Sequence, residues 1–247
     1  MKEPGKYRKI PSPAPYWGNS EDFLLEVYHR LFACYGPQYW WPAQSPFEVI
    51  VGAILTQQAA WANVEKAIAN LKGHEVLNPA ALRCLPIEEL GQLIYPSGYY
   101  HSKALKIKSF VDFLREHYND NLDELFARDI SSLRAELLSI LGIGEETCDS
   151  IILYAAGKPI FVVDAYTRRI MRHLGLGPSN NSYAAWQNLF MQRLPHQERL
   201  FNEYHALLVH HGKKVCKKLP LCERCCLLCL CSFPKPEDSE TLSVGLF

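Results

Sequence analysis

The chain of 247 residues contains no run of about 18 apolar residues, the length that a membrane-spanning helix requires. Residues 1–15 also lack the apolar stretch of a secretory leader. Both absences predict no contact with a membrane and a cytoplasmic location, where the reducing environment disfavours disulfides. We therefore expect the nine cysteines to be thiols or metal ligands.

The sequence also lacks a long segment of alternating apolar and polar residues, the pattern of a half-buried β-strand. Its best strand candidate is the short apolar run at residues 160–163. Apolar residues instead recur at intervals of three and four along most of the chain. Ser45, Pro46 and Glu48 have the pattern of a capping box with proline at the first helical position, and an apolar run to Leu55 follows. These patterns predict an all-α fold.

The chain has no net charge, with 26 basic and 26 acidic residues, so its total charge does not indicate an anionic partner. The basic residues are nevertheless clustered. They lie at the N-terminus (Lys2, Lys6, Arg8, Lys9), in one central segment (Arg168, Arg169, Arg172) and around the cysteines (Lys213, Lys214, Lys217, Lys218, Arg224). Such patches indicate local contact with a polyanion, although solvated helix faces explain most runs of this kind equally well.

Four cysteines near the C-terminus have the spacing C-x5-C-x2-C-x5-C: Cys216, Cys222, Cys225 and Cys231. The central pair can place two thiolates on one ion or one face of a cluster, and the outer pair can close the site. Zinc usually takes two separated Cys-x-x-Cys pairs, whereas one compact run can hold a cubane, so the spacing favours a 4Fe-4S cluster over zinc. The alternative is a run of buried or reactive thiols, because two more cysteines interrupt the pattern: Cys226 and Cys229.

A glycine-rich turn at Gly142, Ile143 and Gly144 separates two expected helices. The glycines allow a tight reversal in which Ile143 reaches the core, while backbone N–H groups up to Thr147 point outward at the start of the next helix. Such N–H groups bind phosphate without a side chain. Alone, a G-x-G turn is a weak signal, since many helix–helix turns use glycine.

Asp164 follows an apolar run and stands at the expected start of another helix, twenty residues after Gly144. The helix dipole favours an ionised carboxylate there, and this suits Asp164 to stabilise a cationic centre. An N-cap role is the simpler explanation for an isolated aspartate at such a position.

Taken together, these features resemble the endonuclease III branch of the helix-hairpin-helix (HhH-GPD) DNA glycosylase superfamily. The resemblance rests on the hairpin, on the G-x-P-x-x-x-V-D segment that ends at Asp164, and on the four cysteines after His211-Gly212-Lys213. Residues 93–104 contribute to it as well. It covers residues 46–231, with one departure: five residues separate the first two cysteines, where family members often have six.

The resemblance implies a 4Fe-4S cluster and two helical lobes with DNA in the groove between them. A helix within residues 1–44 would join the cluster lobe, and residues 45–160 would form a six-helix barrel that carries the hairpin. Residues 161–233 would form the lobe with the cluster loop. Independently of the resemblance, the acidic composition of residues 234–247 predicts a flexible tail. Asp164 would lie at the lobe junction. The implied partner is double-stranded DNA with damaged bases, bound by a monomer.

The resemblance also makes Asp164 the catalytic carboxylate, facing the anomeric carbon of a flipped nucleotide. In bifunctional members, a lysine after the hairpin attacks the sugar and allows strand cleavage, but Glu146 stands at the matching position here. A carboxylate cannot form an imine, so we expect a monofunctional glycosylase without AP lyase activity. Nothing in the sequence places another amine, Lys213, at the sugar. The rival interpretation is a DNA-binding iron–sulfur protein that has lost turnover.

The segment Trp40, Trp41 and Pro42, followed by Phe47, resembles the 3-methyladenine glycosylase III subgroup of this branch. A ring-alkylated purine is positively charged and stacks well on electron-rich aromatic faces. Gln58 matches the family glutamine that enters the DNA beside the flipped nucleotide. Adjacent tryptophans often only cover a core edge, so uracil, thymine mismatches and oxidised pyrimidines stay open as alternative substrates.

Two carboxylates at the hairpin, Glu145 and Glu146, would repel a phosphate if they pointed toward it. We therefore expect Lys103, Lys106 and basic residues near the cysteines, such as Lys214, to provide more of the DNA contact.

Overall fold

The computed structural model describes residues 20–233. The basic N-terminal cluster and the expected flexible tail at 234–247 lie outside this range. Within it the chain forms twelve α-helices and no β-strand. In chain order, the helices are α1 Ser20–Tyr35, α2 Pro46–Leu55, α3 Trp61–Gly73, α4 Pro79–Cys84, α5 Ile87–Ile94, α6 Tyr100–Tyr118, α7 Leu122–Ala127, α8 Ile130–Ser139, α9 Glu145–Ser150, α10 Ala165–His173, α11 Tyr183–Met191 and α12 Glu198–Lys214. The all-α prediction is confirmed.

Helix α2 is the central buried helix of the first group, which comprises α2 to α9. Its N-cap Ser45 accepts a hydrogen bond from the backbone N–H of Glu48 at 3.2 Å, as the capping-box pattern predicts. Glu48 reaches back to accept from the backbone N–H of Gln44 at 3.0 Å. Every residue from Phe47 to Leu55 is buried, so α2 is packed on all sides. Gln57, just after its C-terminal end, is hydrogen-bonded to the hairpin at Gly142.

The hairpin joins α8 to α9. Gly142 has a φ of +85°, in the left-handed region that favours glycine, and Ile143 is buried. Beyond its short α-helical part, α9 continues as a π-helical turn from Ile151 to Ala155. This turn packs against both α2 and α12, and so links the hairpin to the second group of helices.

The apolar run at residues 160–163 is extended and buried but pairs with no other strand in the described part of the chain. Phe161 stacks on Phe190 with ring centroids 3.8 Å apart, which anchors the run to α11. Because all four residues of the run are buried, Asp164 emerges from the core as the N-cap of α10.

The second group consists of α1 and α10 to α12. Helices α1 and α10 both pack against α12, and the Tyr204 hydroxyl donates to the Leu24 carbonyl oxygen at 2.8 Å. This grouping agrees with the predicted architecture of two helical lobes. The exact boundaries of the segments, at residues 44, 160 and 233, stay a prediction. No helix within residues 20–233 is long and apolar enough to cross a bilayer.

Candidate active site

An open cleft of about 620 Å³ lies between the hairpin and the second group of helices. The first group contributes residues from the end of α2, from α6 and from the hairpin; the second group contributes residues around α10 and α11. The charged and amide side chains that line it are Gln57, Gln58, Lys106, Glu145, Glu146, Arg168 and Asn181. The hairpin glycines Gly142 and Gly144 lie on its floor together with Thr147. Of the hairpin residues expected to bind DNA, Gly142, Gly144 and Thr147 therefore face the cleft, whereas Ile143 is buried in the core.

Asp164 is 8% exposed and caps α10. Its Oδ1 accepts the backbone N–H of Thr167 at 2.7 Å, so the N-cap interpretation is correct for this oxygen. Its Oδ2 lies 3.8 Å from Nε2 of His205, too far for a hydrogen bond. One carboxylate oxygen is thus committed to the helix, and the other makes no hydrogen bond.

Glu146, at the start of α9, stands where the resemblance places the lysine of bifunctional members. Its side chain is exposed and lines the cleft. Partial desolvation by the cleft walls, together with the negative charge of Asp164, raises the pKa of Glu146 to about 7, and Arg168 opposes the shift. The carboxyl of Glu146 therefore titrates near neutral pH beside Asp164.

Lys213 is a residue whose position the sequence did not reveal. Partial burial lowers the pKa of Lys213, while the charge of Asp164 raises it. Its Nζ also lies 6.0 Å from the ring centroid of Tyr166, the second residue of α10. The structure therefore places one amine in the neighbourhood of Asp164.

A hydrogen-bonded network holds the hairpin against α2. Gln57 Nε2 donates to the Gly142 carbonyl oxygen at 3.0 Å and to Thr147 Oγ1 at 2.9 Å. Lys106 donates to Gln57 Oε1, and its aliphatic chain lies where a Cβ on Gly142 would stand. Gln57 and Lys106 thus support the backbone that the sequence suggested as a phosphate site, although only the glycines and Thr147 were identified as its members.

The expectation that Lys103 contacts DNA is wrong. Lys103 is 1% exposed, and its ammonium donates to the carbonyl oxygens of Leu55 at 2.8 Å and Ser97 at 2.6 Å. Burial, and then the charge of Lys106, lowers the pKa of Lys103 to about 8. Lys103 therefore caps the C-terminal end of α2 from the protein interior. Lys106, one turn later on α6, faces the cleft.

Three tryptophans form a compact aromatic cluster. The ring centroids of Trp40, Trp41 and Trp61 lie 4.6 to 5.3 Å apart. Trp41 also contacts Tyr154 at 5.4 Å and passes so close to Gly52 that a Cβ there would lie 3.1 Å from its ring. A pocket of about 200 Å³ is lined by Trp41, Pro42 and Trp61.

The other two members of the expected base pocket fall in different places. Phe47 is 6% exposed and contacts Phe110, so it is a core residue of α2 and its assignment to the base pocket is wrong. Gln58 has a φ of +52° and lines the cleft, a position that fits the wedge assigned to it by resemblance. Trp61 belongs to the aromatic pocket but was not identified from the sequence.

The four spaced cysteines line one small, largely apolar cavity together with His173 and Phe233: Cys216, Cys222, Cys225 and Cys231. Within residues 20–233, no three Cys, His, Asp or Glu residues converge as they would around a single metal ion. Four thiols around one shared cavity are a donor set that fits an iron–sulfur cluster, in which each iron takes one thiolate.

The cysteines that interrupt the spacing lie elsewhere. Cys229 is exposed and its sulfur accepts a hydrogen bond from Arg30 Nη1 at 2.8 Å. Neither Cys226 nor Cys229 lines the cavity. Lys214 is exposed at the C-terminal end of α12, two residues before the first cavity cysteine.

Comparison with known proteins gives a consistent family assignment. The family model described as "HhH-GPD superfamily base excision DNA repair protein" matches residues 51–196. The chain is 43% identical over 209 residues to a putative DNA repair glycosylase, MJ1434, of Methanocaldococcus jannaschii, covering 84% of this chain and 94% of that protein. It is 28% identical to endonuclease III of Bacillus subtilis, over 80% of this chain and 86% of the relative.

Solved structures agree with this assignment at the level of the fold. A non-covalent endonuclease III–DNA complex matches with a TM-score of 0.74 and 24% identity, over 90% of this chain and 98% of that one. The H. pylori 3-methyladenine DNA glycosylase MagIII, bound to 1,N6-ethenoadenine, matches with a TM-score of 0.69 and 24% identity, over 79% and 98%. The chain therefore belongs to the HhH-GPD superfamily of base excision DNA repair proteins, in its endonuclease III-like branch.

Proposed function

We propose that this DNA repair glycosylase is monofunctional and excises an alkylated purine such as 3-methyladenine from double-stranded DNA. The observation that carries the proposal is the position of Asp164, which has one oxygen uncommitted and lies beside His205, whose partner Tyr154 contacts Trp41 of the aromatic cluster. A flipped nucleotide whose base enters the aromatic pocket would bring its sugar toward this carboxylate.

Asp164 would act on the charge that develops as the base departs. The sugar becomes cationic at its anomeric carbon, and a nearby carboxylate stabilises that charge or directs water onto it. A fixed carboxylate is effective here because α10 already holds its Oδ1, so little reorganisation accompanies the reaction. We expect Asp164→Asn to retain DNA binding and to lose base release.

The absence of lyase chemistry is inferred from Glu146. An imine requires an amine nucleophile, and Glu146 supplies a carboxyl group at the start of α9. Lys213 is the amine near Asp164, so it is the group to which any residual strand cleavage would be traced.

Selection of an alkylated purine is inferred from the tryptophans. Aromatic faces attract a cationic ring, and the attraction grows when water is excluded. Trp41 and Trp61 meet nearly at right angles, 85° between ring planes, and so form two walls of one pocket. A charged, easily expelled base needs little more from the enzyme than such a pocket, whereas a neutral base needs help with its departure.

The cofactor we propose is a 4Fe-4S cluster on Cys216, Cys222, Cys225 and Cys231. When bound, such a cluster would cross-link the C-terminal loop through four thiolates. Hydrogen bonds within the protein already hold the start of this loop. Arg169 donates to the carbonyl oxygens of Cys216 at 2.8 Å and of Gly212 at 2.9 Å. Lys214, next to this loop, would then face the DNA. We propose that the enzyme acts as a monomer.

One assay distinguishes the candidate activities. The purified protein is incubated with duplexes containing 3-methyladenine, uracil, a thymine mismatch or an oxidised pyrimidine, and free base is measured by chromatography. Nicks are then scored with and without alkali, and borohydride is used to trap any imine. We expect release of 3-methyladenine, nicks only after alkali and no trapped complex. Preferential release of another base would refute the substrate assignment, and trapping that is lost in Lys213→Ala would refute the monofunctional one.

A further inference from the structure

His205 lies on α12 beside Asp164 and has no role in the mechanism described so far. It is buried, and its Nδ1 lies 2.5 Å from the Tyr154 hydroxyl. Its Nε2 is one of two buried side-chain nitrogen or oxygen atoms in residues 20–233 without a hydrogen-bond partner. An unsatisfied buried polar group costs about 1–3 kcal/mol, so its retention at this position calls for a function.

The environment of His205 determines which ring nitrogen carries the hydrogen. Burial lowers the pKa of His205, with Lys213 acting in the same direction and Asp164 opposing it, so the ring is neutral near pH 7. Burial also raises the pKa of Tyr154 well above its usual range, so the phenol keeps its proton. If Tyr154 donates to Nδ1, the hydrogen resides on Nε2 and faces Asp164. The other tautomer would direct a lone pair at the carboxylate, which is repulsive.

The gap between His205 Nε2 and Asp164 Oδ2 is 3.8 Å, about 0.6–1.1 Å longer than an N–H···O hydrogen bond. In free enzymes, catalytic hydrogen bonds are often long and tighten only when substrate binds. A shift of this size is within the range of a side-chain adjustment. The unsatisfied N–H is therefore preformed for a bond that the free protein does not make.

Tyr154 connects this pair to the aromatic cluster. Its ring centroid lies 5.4 Å from that of Trp41 and 6.0 Å from that of His205. Trp41, which lines the aromatic pocket, therefore contacts a residue that is hydrogen-bonded to His205. Trp41, Tyr154, His205 and Asp164 form one chain of contacts from the base pocket to the carboxylate.

We propose that His205 is a positioning residue: in the DNA complex its Nε2–H donates to Asp164 Oδ2 and orients the carboxylate toward the sugar, while Tyr154 fixes the tautomer and transmits contact from Trp41. The inference rests on the catalytic role proposed for Asp164. It assigns no proton transfer to His205.

The kinetic test separates orientation from binding. Single-turnover base release and affinity for a duplex with an abasic-site analogue are measured for His205→Leu, His205→Gln and Tyr154→Phe. We expect His205→Leu to slow release about 100-fold, the scale of a misplaced catalytic group, with affinity changed less than about threefold. His205→Gln, whose amide N–H can replace Nε2–H, should recover at least about a tenth of the wild-type rate.

Tyr204→Phe is the matched control, because Tyr204 is the neighbouring residue on α12 and loses one buried hydrogen bond to Leu24 without approaching Asp164. Its release rate should equal that of the wild type, whereas Tyr154→Phe should be about tenfold slower. Equal losses in both phenylalanine variants, or no recovery with glutamine, would overturn the proposal in favour of a purely structural histidine.

A spectroscopic readout works even if His205→Leu does not fold or the wild type releases no base. The 15N shifts of the His205 ring in the free wild-type protein should indicate a neutral ring with hydrogen on Nε2. The Nε2–H proton should move downfield when the abasic-site duplex binds. A hydrogen on Nδ1, or no change on binding, would refute the role of His205. An inactive wild type that still shows both signals would refute only the proposed function.

Discussion

Gln57 Nε2 lies 2.9 Å from Thr147 Oγ1, and this hydrogen bond ties the C-terminal end of α2 to the first turn of α9. The same amide group donates to the Gly142 carbonyl oxygen at 3.0 Å. One side chain therefore fixes both sides of the hairpin turn. The backbone geometry that a phosphate would meet depends on a residue 85 positions earlier in the chain.

Gln57→Ala should weaken DNA binding without unfolding the protein. Three hydrogen bonds disappear, two to the hairpin and one from Lys106, at about 1 kcal/mol each, and the hairpin loses its preorganisation. We expect an affinity loss of about five- to thirtyfold that is similar for damaged and undamaged duplexes, since phosphate contacts carry no sequence information. Fluorescence anisotropy measures it. Gln92→Ala, an exposed glutamine on α5, is the control, and an equal effect of both variants would contradict the role of Gln57.

Neutralising Lys103 should lower the stability of the protein, whereas neutralising Lys106 should weaken DNA binding. Lys103→Met leaves the carbonyl oxygens of Leu55 and Ser97 without a donor, which should lower the free energy of unfolding by about 2 kcal/mol. Lys106→Met should leave stability nearly unchanged and weaken DNA binding, with a smaller salt dependence. Urea titrations and anisotropy at two salt concentrations measure both. If Lys103→Met strongly reduced the salt dependence of DNA binding, Lys103 would contact DNA after all.

Lys103 should also make the free energy of unfolding depend on pH. Its pKa is lowered to about 8 in the folded protein, against an ordinary value of 10.5, so the unfolded chain binds more protons between these limits. Stability rises with pH wherever the unfolded state binds more protons. The free energy of unfolding of the wild type should therefore increase relative to that of Lys103→Met from about pH 8 to 10.5. Urea titrations across this range measure the difference, and parallel curves would exclude the shift.

These cases show where sequence reasoning succeeds. The all-α class, the N-cap at Ser45 and the buried turn residue Ile143 follow from local chemistry, because periodicity, caps and glycine turns depend on near neighbours. The four spaced cysteines meet at one cavity for the same reason, since they belong to a single short segment.

The errors concern which face of a helix a residue occupies. Lys103 and Lys106 lie one turn apart on α6, and only the carbonyl groups of Leu55 and Ser97 decide that the first is internal. The pairings of His205 with Asp164 and of Trp41 with Trp61 are long-range as well. One clue was present: Gly52 interrupts an apolar helix, and a Cβ at this position would lie 3.1 Å from the Trp41 ring.

Glu146→Gln should increase DNA affinity in a pH-dependent manner. The pKa of Glu146 is raised to about 7, so the carboxyl is charged above that pH and repels phosphate, and it is neutral below it. We expect the variant to bind about two- to fivefold more tightly than the wild type at pH 8, with the difference vanishing by about pH 6. Glu89→Gln, on the first turn of α5, is the control. A constant difference across the range would show that Glu146 titrates elsewhere.

The cysteine cavity predicts a selective loss of the cluster. Protein purified without oxygen should contain about four iron and four sulfide per chain. Cys222→Ser should lose most of this content together with the visible absorbance, because one ligand is removed. Cys84→Ser and Cys229→Ser, at exposed thiols outside the cavity, should keep it. Full iron content in Cys222→Ser, or its loss in either control, would contradict the assignment of ligands.

Trp61 gives the sharpest test of the base pocket, because the sequence resemblance did not include it. Trp61→Leu removes one of the two aromatic walls but keeps an apolar side chain, so the attraction for a cationic ring should fall by about 1–2 kcal/mol. Release of 3-methyladenine in single turnover should slow about five- to thirtyfold, while release of the neutral lesion hypoxanthine, if any, changes less. Trp61→Phe keeps an aromatic face and should recover most of the rate.

Because Trp61 also contacts Trp40 and Trp41, thermal unfolding of each variant is measured in parallel. Equal slowing of charged and neutral bases would mean that the pocket selects by shape, and the alkylpurine assignment would then lose its electrostatic basis.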